Sequence, residues 1–225
     1  MVNMRSVAAS EDRTARARIR DAAIAAIAAE GPSRTTVRKV AATAAVSPAL
    51  VIHHYGSMEA LREECDHHVA AEIRRLKAEA IADGPALDPM AAIRRGHDLP
   101  LAGYLAAVLV DDSPAVARLV DEMVDDAVDY LEQGVAAGII ETSDRPRARA
   151  AVLMLWGLGA LVLHQHARRL LGVDPTDATF GHSAETATYV ATISEIYRNG
   201  LLTDDFVARS RATAAATTAP EEDQQ

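Results

Sequence analysis

The sequence is poor in aromatic side chains, which make up only 4% of its 225 residues, and it contains a single cysteine, Cys65. Sheets favour aromatic and β-branched residues, whereas the abundant alanine is the best helix former, so the composition argues against a sheet-based fold. A lone cysteine excludes an internal disulfide. These shortages predict an all-α protein of the reducing cytoplasm.

Long apolar runs are also missing. The longest is Ala150 to Leu163, fourteen residues flanked by arginines and histidines, whereas a membrane-spanning helix needs about 20. Met1 to Arg20 contains no apolar run of the kind that a secretory signal requires. We therefore expect a soluble protein without a membrane partner, in which the 150–163 segment forms a helix buried in protein.

An excess of positive charge is absent, because the net charge is −9. This balance argues against a protein that coats nucleic acid without sequence preference. The charge is nevertheless uneven: residues 1–55 carry +4 and the other 170 residues carry −13. Either surface arginines cluster there by chance, or the N-terminal segment meets a polyanion.

Helix boundaries can be read from capping residues placed directly before proline, at Ser47-Pro48, Asp88-Pro89, Ser113-Pro114 and Asp174-Pro175. Apolar residues between these signals recur at intervals of three and four, as on one buried face of a helix. The predicted helices lie near 13–30, 36–43, 47–54, 57–82, 89–98, 101–111, 114–138, 145–171, 181–199 and 203–212. Residues 1–10 are predicted to be a disordered basic arm, and 213–225 a disordered tail.

Two very short helices follow the long first helix and are joined by about three residues. They cannot persist alone, so packing must hold them, as it does for a helix that enters the major groove of DNA. The segment from Thr36 to Leu61, TVRKVAATAAVSPALVIHHYGSMEAL, resembles the helix-turn-helix of the TetR family of bacterial regulators. The detailed match extends over about Ala15 to Leu61, and beyond it the resemblance is architectural.

The resemblance implies a three-helix DNA-binding domain over residues 11–56 and a larger helical domain for ligand binding and dimerisation over 57–212. It further implies a repressor that binds a palindromic operator in double-stranded DNA as a homodimer and is released by a small effector. Val51 and Tyr55 fall on buried positions. The implied DNA-binding residues are Arg34, Thr36, Arg38, Lys39, Ser47, Pro48, Ala49, Leu50, His53 and His54.

Three residues depart from the family pattern. Ala45 occupies a turn position where glycine is preferred, and a positive φ there costs alanine on the order of 1 kcal/mol. Ile52 replaces a common tyrosine and Met58 a common lysine, which removes two typical phosphate contacts. Arg5, Arg34 and Lys39 are candidates to offset this loss.

Other functional signals are weak. No histidine pair has the i, i+4 spacing of a helical zinc site, so no metal is predicted. No Gly-rich phosphate loop, nucleophile elbow or Cys–His pair suggests itself, so no cofactor and no catalytic residue is predicted. Large or polar side chains in mid-helix, His97, Tyr104, Met123 and Trp156, are candidates to line an effector pocket or to serve as ordinary packing. Such a pocket favours an apolar or aromatic molecule.

Alternative functions differ in what they require. A helical-bundle enzyme or ligand carrier without DNA binding needs convergent groups on facing helices, and none can be assembled, so an enzyme is not expected. An activator or architectural DNA-binding protein keeps the basic N-terminal segment, residues 1–55, here called the head, but needs no effector pocket. The helices near 145–171 and 181–199 carry the most surplus apolar surface, which predicts a two-fold dimer through them.

Overall fold

The computed structural model describes the backbone of residues 4–83, 88–97 and 100–199, and the side chains in these ranges except those of 4–13, 89, 95–97 and 199. Every regular element in these ranges is helical, as the composition predicts. The helices are α1 (Met4–Glu30), α2 (Val37–Thr43), α3 (Pro48–Tyr55), α4 (Met58–Ala82), α5 (Pro89–His97), α6 (Leu101–Val108), α7 (Pro114–Ala136), α8 (Pro146–Val162), α9 (His164–Leu171) and α10 (Ala184–Asn199), with one 3₁₀ turn at Pro32–Arg34.

Helix α1 begins nine residues earlier than expected, at Met4 rather than near residue 13. Most of the predicted disordered arm is therefore helical, because residues 1–30 contain no glycine or proline to stop the helix. The helix ends before Gly31, whose φ of 84° suits glycine. Residues 1–3, the predicted helix at 203–212 and the predicted tail at 213–225 lie outside the described residues.

One hydrophobic core joins helices from α1 to α8. One cluster of buried side chains joins Ile19 and Ile27 of α1 to Tyr104 of α6, Met123 of α7 and Leu158 of α8. Helix α1 packs against α6, and α4 packs against α7. The predicted boundary between residues 56 and 57 thus coincides with a turn between helices, while the packing continues across it.

The prediction of one helix over 145–171 is wrong, because α8 ends at Val162 and the chain bends by 80° between α8 and α9. His164 begins α9 and lies 3.2 Å from the Asp174 carboxylate, whose Oδ1 also accepts a hydrogen bond from the Thr176 hydroxyl at 2.7 Å. This polar cluster joins the start of α9 to the segment that follows it and so favours the bend. Taken singly, no helix of the described residues could span a membrane; α8 and α9 meet the length and composition only as this bent pair.

The prediction that the 150–163 segment is buried is also wrong for a single chain. Ala150 and Leu158 are buried, but Leu155 and Trp156 are 59% and 60% exposed. The segment is apolar on all sides, and only one side meets the core. The described residues divide into two units, the first ending at residue 187 and the second beginning at residue 188. Within the second unit, Ile196 and Tyr197 of α10 are exposed.

Candidate DNA-binding surface

The α2–α3 pair is built by two side-chain caps. Thr36 is the N-cap of α2 and accepts a hydrogen bond from the Lys39 amide at 3.4 Å. Ser47 is the N-cap of α3 and accepts one from the Leu50 amide at 3.1 Å. Each cap satisfies a donor that the first turn of a helix leaves unpaired. The Ser47 cap was predicted from its place directly before Pro48.

The turn between the two helices contains a strained residue. Ala45 has φ of 53°, and it has the only positive φ among the described non-glycine residues. Backbone hydrogen bonding continues through the turn, because the Ala45 amide donates to the Ala42 carbonyl at 3.2 Å and the Val46 amide donates to the Ala41 carbonyl at 2.9 Å. The positive φ that would strain alanine at this position is therefore present, in a turn that favours glycine.

Helix α3 is fixed to α1 by its buried face. Val51 and Tyr55 are buried there, as predicted. The Tyr55 hydroxyl donates to the Arg16 carbonyl at 2.8 Å, and the Arg16 guanidinium lies over the Tyr55 ring, 5.2 Å from its centroid. Burial raises the pKa of Tyr55, and Arg16 partly opposes this shift. An eight-residue helix is thereby held in one orientation, which a rigid groove reader requires.

The opposite face of α3 is open. Pro48, Ala49 and His53 are exposed, together with Ile52, while Leu50 is half-buried. His54 is also half-buried, and its Nε2 atom is inaccessible to solvent. The histidine pair is therefore split, with His53 on the outer surface and His54 turned inward.

The predicted cations differ in their surroundings. Lys39 pairs with the Glu30 carboxylate, and Arg34 donates through Nε to the Glu30 carbonyl at 2.8 Å. Arg38 is exposed on α2 and has no ion pair within the described part of the chain. Arg38 is therefore the predicted cation of this surface that is most available to a phosphate. The pattern of charges alone could not have separated it from Lys39.

Helix α4 joins this head to the rest of the molecule through polar contacts that the sequence analysis missed. Near its start, Arg62 donates to the Pro32 carbonyl at 2.5 Å. Further along, Arg74 pairs with Asp126 of α7 at 2.9 Å. Asp126 carries a carboxylate, yet it is only 9% exposed. Its position on the edge of an apolar stripe was the available signal.

The effector candidates whose side chains the structure describes lie in different surroundings. Tyr104 is buried, and its hydroxyl donates to Asp66 Oδ1 of α4 at 2.7 Å. Burial raises the pKa of both groups, and the hydrogen bond from Tyr104 opposes the shift at Asp66. Met123 is buried in the same core cluster, and the exposed Trp156 lies on α8. His97 ends α5, and its side chain lies outside the described residues.

A cavity of about 100 Å³ lies beside Tyr104. Its walls come from α1, α4, α6 and the start of α7, and they include Ile27, Asp66, Val108 and Val116. A second cavity of about 160 Å³ lies between α9 and the start of α10 and includes Arg168 and Asp177. Neither reaches the roughly 300–1,000 Å³ typical of small-molecule sites.

The geometry defines a class of protein: a rigidly held helix-turn-helix on a basic head, joined by a long helix to a helical body. Comparison with known proteins agrees with this class. Residues 19–65 match the family described as bacterial regulatory proteins, tetR family, and residues 97–203 match the tetracyclin repressor-like C-terminal domain. The chain is 37% identical over 199 residues to the HTH-type transcriptional regulatory protein RaaS of Mycobacterium tuberculosis, covering 87% of this chain and 90% of that protein.

Solved structures share the fold at lower identity. A TetR-family regulator from Rhodococcus sp. is 21% identical with a TM-score of 0.56, covering 78% of this chain and 97% of its own. GusR of Salmonella enterica is 17% identical with a TM-score of 0.53, covering 81% and 94%. The chain belongs to the TetR family. It is a ligand-responsive transcriptional regulator, in a family of generally non-enzymatic DNA-binding proteins.

Proposed function

We propose that the protein is a cytoplasmic repressor that binds a palindromic operator as a homodimer and is released by a small apolar or aromatic effector. The observation that carries the DNA-binding part is the outer surface of α2 and α3. Two caps and the Tyr55–Arg16 contacts hold α3 in place, its outer face is exposed, and Arg38 beside it is unpaired within the described residues. The major groove admits one such helix, and nearby cations bind the phosphates.

The test of DNA binding uses duplex DNA from the region upstream of the protein's own gene. Affinity should fall steeply as salt rises, because bound cations are released from phosphates. Arg38→Ala should weaken binding to all sequences alike. It should also reduce the slope of log affinity against log salt concentration by about one, the contribution of one phosphate contact. Arg169→Ala removes the same charge from the exposed surface of α9 and serves as the control. Equal effects of the two variants would contradict the proposed surface.

The dimer is proposed to form through the exposed apolar face of α8. Val152, Leu155 and Trp156 contribute large apolar side chains to this face. Gly159 lies on the same face, one turn after Leu155 and Trp156, and a Cβ atom added there would meet nothing within 4 Å, so a partner helix can approach closely at this position. Interfaces within homodimers are commonly rich in apolar and aromatic residues, and a two-fold axis pairs such a face with its own copy.

The effector is proposed to enter the cavity beside Tyr104, where α4, α6 and α7 meet. Apolar groups of Ile27, Val108 and Val116 line it, and the Asp66–Tyr104 pair supplies a polar group at its wall. Because the cavity is small, a ligand must separate these helices to enlarge it. Helix α4 also supports the head through the buried Leu61 and Cys65, so its displacement would change the position of α3.

A cavity-filling variant tests this placement of the effector. An apolar and aromatic compound panel is screened for thermal stabilisation of the protein and for release of DNA. Val108→Phe should fill the cavity and abolish the response to any compound found, while DNA binding remains. Val110→Phe, at a site that is 70% exposed, is the matched control. An unchanged response in Val108→Phe would place the effector elsewhere.

A further inference from the structure

Helix α3 lacks the side chains that most often distinguish bases. Its sequence, PALVIHHY, contains no arginine, lysine, asparagine, glutamine, aspartate or glutamate. Bidentate hydrogen bonds to guanine come from arginine or lysine, and those to adenine come from asparagine or glutamine. Direct recognition of guanine or adenine by such pairs is therefore excluded for this helix. The Ser47 hydroxyl, just before it, accepts the capping hydrogen bond from Leu50.

The exposed face of α3 instead carries apolar groups. Ile52 is 44% exposed, although it lies on a helix whose Val51 and Tyr55 are buried. Ala49 is exposed one turn before Ile52, and residues three apart lie on the same face of a helix. Folding gives no reason for Ile52 to be isoleucine, because this side chain is not part of the core.

One group in the major groove matches this face. The C5-methyl of thymine is the apolar feature that base pairs display there, and alanine and other apolar side chains contact it. Arg38, on the neighbouring helix, can bind phosphate without distinguishing bases. On this surface, the phosphate contact would contribute affinity for any DNA sequence, and the apolar contacts would contribute specificity for thymine.

We propose that Ile52, with Ala49, recognises thymine methyl groups in the operator, and that Ile52 is a specificity-determining residue of this protein. The inference rests on the proposed operator binding. It predicts that each half-site contains at least one thymine whose methyl group is required, and that the outer face of α3 distinguishes thymine from cytosine and from uracil.

The experiment replaces thymine by uracil, one position at a time, in the duplex that the protein protects upstream of its own gene. Uracil lacks only the methyl group, so base pairing is kept. Loss of one buried methyl should weaken binding about fourfold, and symmetric replacement in both half-sites about fifteenfold. Replacing that thymine by cytosine should weaken binding, and 5-methylcytosine should restore part of the loss.

Protein variants then identify the side chain. Ile52→Ala should bind thymine and uracil duplexes almost equally, because the partner of the methyl group is gone, while Ile52→Val should keep the difference. Arg38→Ala should weaken binding to both duplexes and also keep the difference. Thermal unfolding of Ile52→Ala verifies that this exposed substitution leaves the fold intact.

The outcomes separate the two claims. Specific binding to the upstream duplex with equal affinity for thymine and uracil at every position would overturn methyl recognition and leave operator binding standing. A uracil effect that persists unchanged in Ile52→Ala would overturn the role of this residue. Failure to bind the upstream duplex at all would overturn the proposed function, and the inference with it.

Discussion

Replacement of Ala45 by glycine should stabilise the protein. Ala45 has φ of 53°, in the left-handed region where its Cβ crowds the following carbonyl oxygen. That conformation costs a non-glycine residue about 1–2 kcal/mol. Glycine removes the cost but gains freedom in the unfolded chain, which is worth about 0.4–1 kcal/mol. The net expectation for Ala45→Gly is a gain of about 0.5–1 kcal/mol in the free energy of unfolding.

Thermal and urea unfolding measure this gain. For a chain of this size, about 1 kcal/mol corresponds to a rise of about 2–4 °C in Tm. Ala42→Gly is the matched control, because Ala42 is exposed within α2, where glycine should destabilise by about 0.5–1 kcal/mol. The two variants make the same chemical change and should shift stability in opposite directions. Equal destabilisation by both would refute the strained turn.

Three further predictions concern the dimer, the Tyr104–Asp66 pair and the recognition helix. Leu155→Glu should yield monomers in light scattering, whereas Val110→Glu, also at an exposed apolar site, should stay dimeric; a dimeric Leu155→Glu would contradict the α8 interface. Tyr104→Phe removes a donor to the half-buried Asp66 carboxylate and should cost about 1–3 kcal/mol at neutral pH. Burial holds the pKa of Asp66 above its unfolded value, so ionisation of this carboxyl opposes folding. The stability lost in Tyr104→Phe should therefore shrink as acid protonates Asp66. A loss of stability that does not change with pH would refute this role of the hydrogen bond. His53 is exposed on the outer face of α3, so His53→Ala should weaken operator binding without lowering Tm, and an unchanged affinity would exclude a DNA contact from this side chain.

Local signals in the sequence predicted the helices and the turn of the head. Thr36 and Ser47 are capping residues whose side chains act within three residues, so their roles depend little on the rest of the fold. The left-handed turn at Ala45 followed from the family pattern. The start of α1 was misjudged because its first turns lack a clear apolar stripe, although nothing in them stops a helix.

Contacts between distant residues could not be predicted in this way. The Tyr104–Asp66 hydrogen bond joins residues 38 positions apart, and the Arg74–Asp126 pair joins residues 52 apart. The pairing of Lys39 with Glu30 likewise depends on how α2 packs against α1. Charge patterns give the number of available cations, whereas tertiary packing decides which of them remain accessible to DNA.

Footprinting tests the central claim most directly. Hydroxyl-radical cleavage of the DNA upstream of the protein's own gene should show two protected half-sites related by a dyad, about one helical turn or a multiple of it apart. The protection should disappear when an effector found in the compound screen is added. A protected region without two-fold symmetry would contradict the dimeric operator complex, and no protection at low salt would contradict DNA binding through α2 and α3.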